Sequence, residues 1–288
     1  MDSIERAASV TRGLLSIFVL LLVLDKPSGA QETERKTNIL ESLALCNGID
    51  RSSPEIQIDG CTAIINLGQH STAAAIAYNN RGDAYAKKGD YDRAIIDFDQ
   101  SIKLNPTNAK PYNNRGVAYF KKGGYILAIE SLDQAVKLFP QYTKAFLNRA
   151  EIHQKYRHHD LAAKDYDAAI RLDPALNVGW SGRCWVRVVI GQLQAAMEDC
   201  NKALQLEPSD AAALEWRALA HFKMGQLEAA IDDYSFALKL DPTLARAFYG
   251  RALAKFKKGD SVGGTADMTA AKDLQAAIAD EFDQVGLQ

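Results

Sequence analysis

The chain has 288 residues, of which 47% are hydrophobic and 24% charged, and its formal net charge is −2. This composition is ordinary for a folded globular protein. The near-neutral charge excludes a global basic field of the kind that attracts proteins to nucleic acids or acidic membranes. At this length, two domains and one elongated array of repeats both fit.

An apolar segment near the N-terminus predicts export. Residues 14–24 (LLSIFVLLLVL) are nearly all apolar, with Arg6 and Arg12 before them and a small-residue triplet ending at Ala30 after them. The run is shorter than the about 20 residues that a membrane-spanning helix needs. Its length and flanks are typical of a secretory signal peptide. We therefore predict a signal peptide over residues 1–30 and a mature protein in the periplasm or outside the cell, with no integral membrane segment after cleavage. An uncleaved anchor is the alternative.

The next segments are less regular. Residues 31–37 are predicted to be a short linker. Residues 38–74 resemble a degenerate helical hairpin with an interrupted first helix, and residues 56–67 are its second helix.

The rest of the chain repeats with a period of 34 residues. The pentapeptide Tyr-Asn-Asn-Arg-Gly at residues 78–82 returns at residues 112–116. Six rows align without a gap, and each is numbered here by columns 1 to 34. The rows are 75–108, 109–142, 143–176, 177–210, 211–244 and 245–278.

Several columns hold residues with a plain structural purpose. Columns 8, 20 and 27 contain only small residues, as two closely crossing helices require. Column 15 is Gly in five rows and Arg157 in the third, at a position where glycine ends a helix in the left-handed conformation. Column 32 is Pro in five rows and Ala276 in the last, where proline stops the second helix.

Each row therefore predicts a helix–turn–helix hairpin. Apolar residues recur at three- and four-residue intervals, and no run has a strand-like alternation. One hairpin cannot bury its apolar face alone, whereas a stack of hairpins can. A final helix is predicted over residues 270–285, within a capping helix and tail at 270–288, and would shield the last exposed face.

Rows such as AIAYNNRGDAYAKKGDYDRAIIDFDQSIKLNPTN resemble tetratricopeptide (TPR) repeats in period and in the identity of their columns. The resemblance covers residues 75–278. It implies an all-α fold, a right-handed α-solenoid of helical hairpins with a C-terminal capping helix. It also implies a concave groove, lined by the first helices, that binds peptides or proteins.

Column 7 is arginine in every row, and unpaired guanidinium groups would repel one another along a stack. Column 23 supplies aspartate in five rows, with Ser131 as the exception. We predict an arginine–carboxylate ladder between first and second helices, with an anion-binding track as the alternative. Its members are Arg81, Arg115, Arg149, Arg183, Arg217, Arg251, Asp97, Asp165, Asp199, Asp233 and Asp267.

The geometry that the TPR resemblance implies assigns columns 2, 5, 9, 12 and 13 to the groove, where lysines alternate with apolar residues. Such a surface would suit an extended peptide with acidic and apolar side chains. The alternative is that the lysines complement helix dipoles and the aromatics pack between helices. The predicted groove residues are Lys87, Lys110, Asn113, Val117, Phe120, Lys121, Lys144, Lys155, Trp185, Leu219, Phe222, Lys223, Leu253, Phe256 and Lys257. The Lys and Asn set with which some TPR domains hold a C-terminal carboxylate is incomplete here.

The four cysteines form two local pairs. Four cysteines permit three disulfide connectivities, and we predict Cys46–Cys61 and Cys184–Cys200, each within one hairpin. Free buried cysteines are the alternative.

The sequence lacks a phosphate-binding loop, a nucleophile elbow, a dinucleotide fingerprint and a paired C-x-x-C metal motif. We therefore predict no enzyme, no cofactor, no metal site and no nucleic-acid partner. The function expected is an exported, non-catalytic scaffold that binds a protein or peptide. The alternative is a carbohydrate- or polymer-binding accessory factor in cell-envelope assembly.

Overall fold

The structure is a computed structural model that describes residues 29–48, 53–68 and 72–280. Residues 1–28, which include most of the predicted signal peptide, lie outside the described residues. The described residues form fourteen helices of 13 to 18 residues and no strand. They are α1 Gly29–Cys46, α2 Pro54–Leu67, α3 Thr72–Lys87, α4 Tyr91–Leu104, α5 Ala109–Lys121, α6 Tyr125–Leu138, α7 Thr143–Lys155, α8 His159–Leu172, α9 Asn177–Val189, α10 Leu193–Leu206, α11 Ala211–Lys223, α12 Leu227–Leu240, α13 Ala245–Lys257 and α14 Ser261–Leu274. The all-helical prediction is confirmed.

The helices pack as consecutive hairpins in two compact units. Unit 1 runs to Pro140 and contains the hairpins α1–α2, α3–α4 and α5–α6; unit 2 starts at Gln141 and contains the four hairpins from α7–α8 to α13–α14. Within each unit, the second helix of one hairpin also packs against the first helix of the next. Each hairpin thus buries its apolar face against its neighbour.

Small residues allow the two helices of a hairpin to cross closely. A Cβ atom on Gly82 would lie 2.7 Å from Cε1 of Phe98, and one on Gly116 would lie 2.8 Å from Cγ of Leu132. Ala94 and Ala128 on the facing helices are fully buried. No larger side chain fits at these crossings without displacing its neighbour.

The turn between the helices needs one residue in the left-handed conformation. Five rows use glycine there, with φ between 76° and 88°, and the third row uses Arg157 at φ 62°. A residue with a Cβ atom costs about 1–2 kcal/mol in this conformation. The third row nevertheless makes the same turn, because the packing of its helices outweighs that cost.

A size match between neighbouring hairpins was not predicted. Within unit 2, Tyr166 and Tyr234 in column 24 reach the next hairpin, where column 6 holds glycine. A Cβ atom on Gly182 would lie 2.3 Å from Cζ of Tyr166, and one on Gly250 would lie 2.3 Å from Oη of Tyr234. The intervening hairpin reverses the sizes, since the small Cys200 is followed by Trp216, which packs against the same core cluster.

Both ends of the array differ from the prediction. Residues 31–37 are not a separate linker, because they lie inside the continuous helix α1, which begins at Gly29. The predicted continuous helix over residues 270–285 is wrong. Helix α14 ends at Leu274, and a helical segment resumes at Ile278 after a turn.

The break near residue 275 follows the repeat and does not need proline. Gln275 is extended and its N–H bonds to the carbonyl of Ala271, as Asn105 bonds to Ser101 in the first row. Ile278 is fully buried in the same core cluster as Ala271. The segment after α14 therefore still covers apolar surface of the last hairpin.

Candidate ligand-binding surface

First helices contact one another along each unit. Helix α3 contacts α1 and α5 in unit 1, and α11 contacts α9 and α13 in unit 2. Second helices pack mainly against first helices. The side chains that first helices turn away from the second helices therefore form a shared surface within each unit, which we call the first-helix surface.

The column 7 arginines hold first and second helices together. Five of them bind the aspartate sixteen residues later, and Arg115 instead donates to Oγ of Ser131 at 3.2 Å. The shortest nitrogen–oxygen distances in these pairs are Arg81–Asp97 2.8 Å, Arg149–Asp165 2.6 Å, Arg183–Asp199 2.6 Å, Arg217–Asp233 2.7 Å and Arg251–Asp267 2.7 Å. Four of the aspartates are buried: Asp97, Asp165, Asp199 and Asp267.

Four of these arginines also reach back to the preceding hairpin, to an acceptor sixteen residues earlier in column 25. This second contact, which sequence reasoning missed, makes each of these guanidinium groups a bridge between hairpins. The pairs are Arg115–Asp99 2.6 Å, Arg183–Asp167 2.6 Å, Arg217–Asn201 2.9 Å and Arg251–Ser235 3.0 Å.

Aromatic rings flank the ladder. The guanidinium carbon of Arg183 lies 5.0 Å from the centre of the Trp180 ring, three residues earlier. Arg81, Arg115, Arg149 and Arg251 have the same relation to Tyr78, Tyr112, Phe146 and Phe248. Ion pairs and ring contacts together occupy these arginines, so they form a structural element and not an open track for anions.

In unit 1 the first-helix surface carries a chain of asparagine amides. Asn80 donates to Asn47, Asn79 to Asn80, Asn114 to Asn79 and Asn113 to Asn114, at 3.0–3.2 Å. The chain connects the N-terminal hairpin to the two hairpins that follow. Asn79 and Asn113 are buried, so these amides mainly join helices.

The predicted groove residues differ in their exposure, and the buried ones correct the prediction. Asn113, Leu219 and Phe222 are 0%, 3% and 6% exposed, so they pack within the fold and do not present a surface to a ligand. Val117, Phe120, Trp185, Lys223 and Leu253 are half-buried. Lys87, Lys110, Lys121, Lys144, Lys155, Phe256 and Lys257 are exposed.

In unit 2, aromatic and cationic side chains meet on the first-helix surface. The ring of Trp185 lies 5.4 Å from that of His159 and 6.1 Å from that of Trp216. The guanidinium of Arg246 lies 4.7 Å from the Trp216 ring, and Nζ of Lys257 lies 4.6 Å from the Phe222 ring. Trp185, Trp216 and Arg246 thus form one row of side chains from α9, α11 and α13, and Lys257 of α13 lies separately over the buried Phe222 ring.

A buried carboxylate fixes one end of this row. Oε1 of Glu215 accepts a hydrogen bond from Nε of Arg246 at 2.6 Å, and the Glu215 side chain is 3% exposed. At the other end, Lys223 is half-buried, and burial lowers the pKa of its ammonium group. Trp216 was absent from the predicted groove because it lies in column 6, which was not assigned to it. Glu215 lies in column 5, which was assigned to the groove, but it was not among the predicted residues.

Both predicted disulfides are present. Cys46–Cys61 joins α1 to α2 and Cys184–Cys200 joins α9 to α10, with Cα–Cα distances of 4.4 and 5.4 Å. All four cysteines are buried. Disulfides persist in oxidising compartments, so their presence fits an exported protein.

Two further kinds of site are absent from the described part of the chain. None of the helices there is long and apolar enough to cross a membrane. The same residues contain no group of three or more His, Cys, Asp or Glu side chains that could hold a metal ion.

Models of the TPR family match the chain. The model described as TPR repeat matches residues 82–123 and 220–259, and the model described as tetratricopeptide repeat matches residues 113–177. These segments of the chain are TPR repeats. No curated protein sequence matches it.

Solved TPR structures share the fold at low sequence identity. A TPR protein from Parabacteroides merdae is 15% identical with a TM-score of 0.65, over 87% of this chain and 100% of that one. Pseudomonas aeruginosa pilF is 17% identical with a TM-score of 0.63, over 73% and 96% of the two chains. YrrB, described as a TPR protein with an unusual peptide-binding site, is 20% identical with a TM-score of 0.51, over 65% and 97%.

Proposed function

We propose that this TPR protein is a non-catalytic scaffold that binds a segment of another protein on its first-helix surface. The observation that supports this most is the row formed by Trp185, Trp216 and Arg246 in unit 2. Half-buried aromatic rings and arginine are enriched where protein surfaces bind partners strongly. TPR folds bind peptides or proteins, and YrrB is described by its peptide-binding site.

The ligand class follows from the charges on this surface. Lys121 in unit 1 and Lys257 in unit 2 are exposed and lie against aromatic rings. A peptide with acidic and apolar side chains would complement them. The proposal includes no catalytic residue, because the buried aspartates of unit 2 are held by the arginine ladder.

We also propose that the protein is exported and processed after Ala30. Two disulfides and the apolar segment over residues 14–24 support this. N-terminal sequencing of the protein purified from its native cells should begin at Gln31. A sequence beginning at Met1 would refute processing.

Selection from a random peptide library displayed on phage tests the binding proposal. Selected peptides should bind the purified protein and lose binding to the variant Lys121→Glu/Lys257→Glu, which reverses two charges on the first-helix surface. The matched control is Lys137→Glu/Lys239→Glu, which reverses two exposed charges on the second helices α6 and α12.

The outcome separates the candidate functions. Acidic and apolar peptides that bind the control but not the first-helix variant support the proposal. Peptides that bind both variants equally place recognition elsewhere and overturn it. Displacement of the bound peptides by a neutral polysaccharide, and not by competing acidic peptides, would favour the polymer-binding alternative.

A further inference from the structure

We infer that α11 and α13 form a clamp for an extended peptide segment with two carboxylates about five residues apart. The inference rests on the proposed function and specifies its ligand. It starts from Arg246 and Lys257, which lie near opposite ends of α13. They are eleven residues apart, so at 100° and 1.5 Å per residue they share one face and are about 16 Å apart along the axis.

Each of the two cations is held against an aromatic ring of α11. Arg246 lies 4.7 Å from the Trp216 ring and Lys257 lies 4.6 Å from the Phe222 ring. Cations at such distances from ring centres are attracted by the ring quadrupole. Both charged groups are therefore positioned before any ligand arrives, which lowers the entropy cost of binding.

The Nη groups of Arg246 remain available to bind a second carboxylate. Its Nε donates to Oε1 of Glu215, yet its side chain is 43% exposed. No contact to another carboxylate is found for Arg246 among the described residues. Arg183 shows that one guanidinium in this protein can bind two carboxylates. It bonds Asp199 through Nε and Nη2 and Asp167 through Nη1.

Arg246 thus shares with the ladder arginines an Nε bond to a carboxylate, but it lacks a second acid. A ligand carboxylate at its Nη groups would complete the same arrangement. Lys257 is exposed at the far end of the helix and can bind a second ligand carboxylate as a point charge.

The spacing sets the length of the ligand. Between the two cations α13 presents the half-buried Leu253, and Phe256 beside Lys257 is 39% exposed. An extended chain advances about 3.3 Å per residue, so a distance of about 16 Å corresponds to five residues. The expected ligand has acidic residues five positions apart and apolar residues between them.

Isothermal titration calorimetry with three synthetic peptides tests the spacing. Acetyl-EAVFAE-amide has the expected spacing, and acetyl-AVEEFA-amide has the same composition with adjacent acids. Acetyl-QAVFAQ-amide lacks both charges. The first should bind the full-length protein about tenfold or more tightly than either of the others, as expected for a charged hydrogen-bonded contact.

Protein variants test the two anchors. Arg246→Met and Lys257→Met should each weaken binding of acetyl-EAVFAE-amide about tenfold. The controls Arg171→Met and Lys239→Met remove one exposed charge each from second helices of unit 2 and should change affinity less than twofold. Circular dichroism checks the fold of each variant, and the peptide comparison needs no variant at all.

Equal binding of the three peptides by the unaltered protein would overturn the clamp. So would equal effects of the anchor and control substitutions. If phage-selected peptides still required the first-helix surface, the proposed function would stand without the clamp. If neither the synthetic nor the selected peptides bound there, both proposals would fall.

Discussion

At the scale of single residues, the repeated pentapeptide Tyr-Asn-Asn-Arg-Gly is explained by packing. The tyrosine ring flanks the arginine three positions later, at 5.4 Å for Tyr78 and 5.5 Å for Tyr112. The asparagines form the amide chain between hairpins, and the glycine admits a large side chain from the second helix. All five residues serve the contacts between helices, so the pentapeptide is a structural unit and not a catalytic one.

The loss of stability on replacing a ladder arginine should depend on how many cations bind its aspartate. Asp97 is 3% exposed, and Arg81 binds both its oxygens at 2.8 Å. Asp199 is 1% exposed but is bound by both Arg183 and Arg187. Arg81→Met should cost about 3–5 kcal/mol in the free energy of unfolding of its hairpin, because it removes the partner of a buried charge.

Arg183→Met is the matched comparison and should cost less, about 1–2 kcal/mol, since Arg187 remains at Asp199. Native-state hydrogen exchange of α3–α4 and α9–α10 would measure both. Equal losses would show that the second cation does not compensate.

Asp267 gives the ladder a pH dependence. Burial raises the pKa of its carboxyl, but hydrogen bonds from Arg251 and Lys255 together lower it by more. The pKa in the folded state is therefore below the ordinary 3.8. The stability that these contacts provide is fully present above about pH 4 and is lost as the pH falls through the folded-state pKa. Asp267→Asn should flatten this acid dependence in α13–α14, measured by hydrogen exchange between about pH 5 and pH 2.5. An unchanged slope would contradict the assignment.

At the scale of helices, neighbouring hairpins match large side chains with small ones. Tyr234 on α12 crosses α13 at Gly250, where a Cβ atom would lie 2.4 Å from Cζ of the ring. Cys200 on α10 is followed by Trp216 on α11, which is partly buried against the core cluster that contains Cys200. The interface is therefore specified by pairs sixteen residues apart.

Substitutions that change the side-chain sizes at Gly250 and Tyr234 test this match. Gly250→Ala should destabilise the α12–α13 interface by about 1–3 kcal/mol through overpacking. Tyr234→Leu in the same chain should recover part of this loss, because leucine occupies that column in the second row. A double-mutant cycle by urea denaturation should give a coupling of about 1 kcal/mol or more. Additive effects would show that the two positions do not compete for space.

The helices were predictable where the sequence repeats, since small residues, turn glycines and prolines recur every 34 residues. Helix α1 was missed at its start because residues 29–37 belong to no row. The second acceptors of the ladder were missed because Asp99, Asp167, Asn201 and Ser235 share a hydrogen-bonding oxygen and not an identity. Trp216 was missed because it lies in column 6, outside the columns assigned to the groove. Glu215 was missed although it lies in an assigned column, since the residues of a binding surface differ from row to row where those of the core do not.

At the scale of the whole molecule, stability should follow from hairpins and the interfaces between neighbours, as in other repeat proteins. Each disulfide joins the two helices of one hairpin, fifteen or sixteen residues apart. Its effect should therefore be local. The N-terminal hairpin depends on it most, because α2 contacts α3 on one side and α1 has no hairpin before it among the described residues.

Cys46→Ala/Cys61→Ala should lower the free energy of unfolding of α1–α2 by about 3 kcal/mol in the loop-entropy model. Opening of these helices, followed by hydrogen exchange with mass spectrometry, should accelerate about a hundredfold. Exchange in α5–α6, two hairpins away, should stay within about twofold, because each hairpin contacts only its neighbours. In the control variant Cys184→Ala/Cys200→Ala, the faster exchange should instead appear in α9–α10. Uniform acceleration across unit 1 in the first variant would mean that its three hairpins open as one cooperative body.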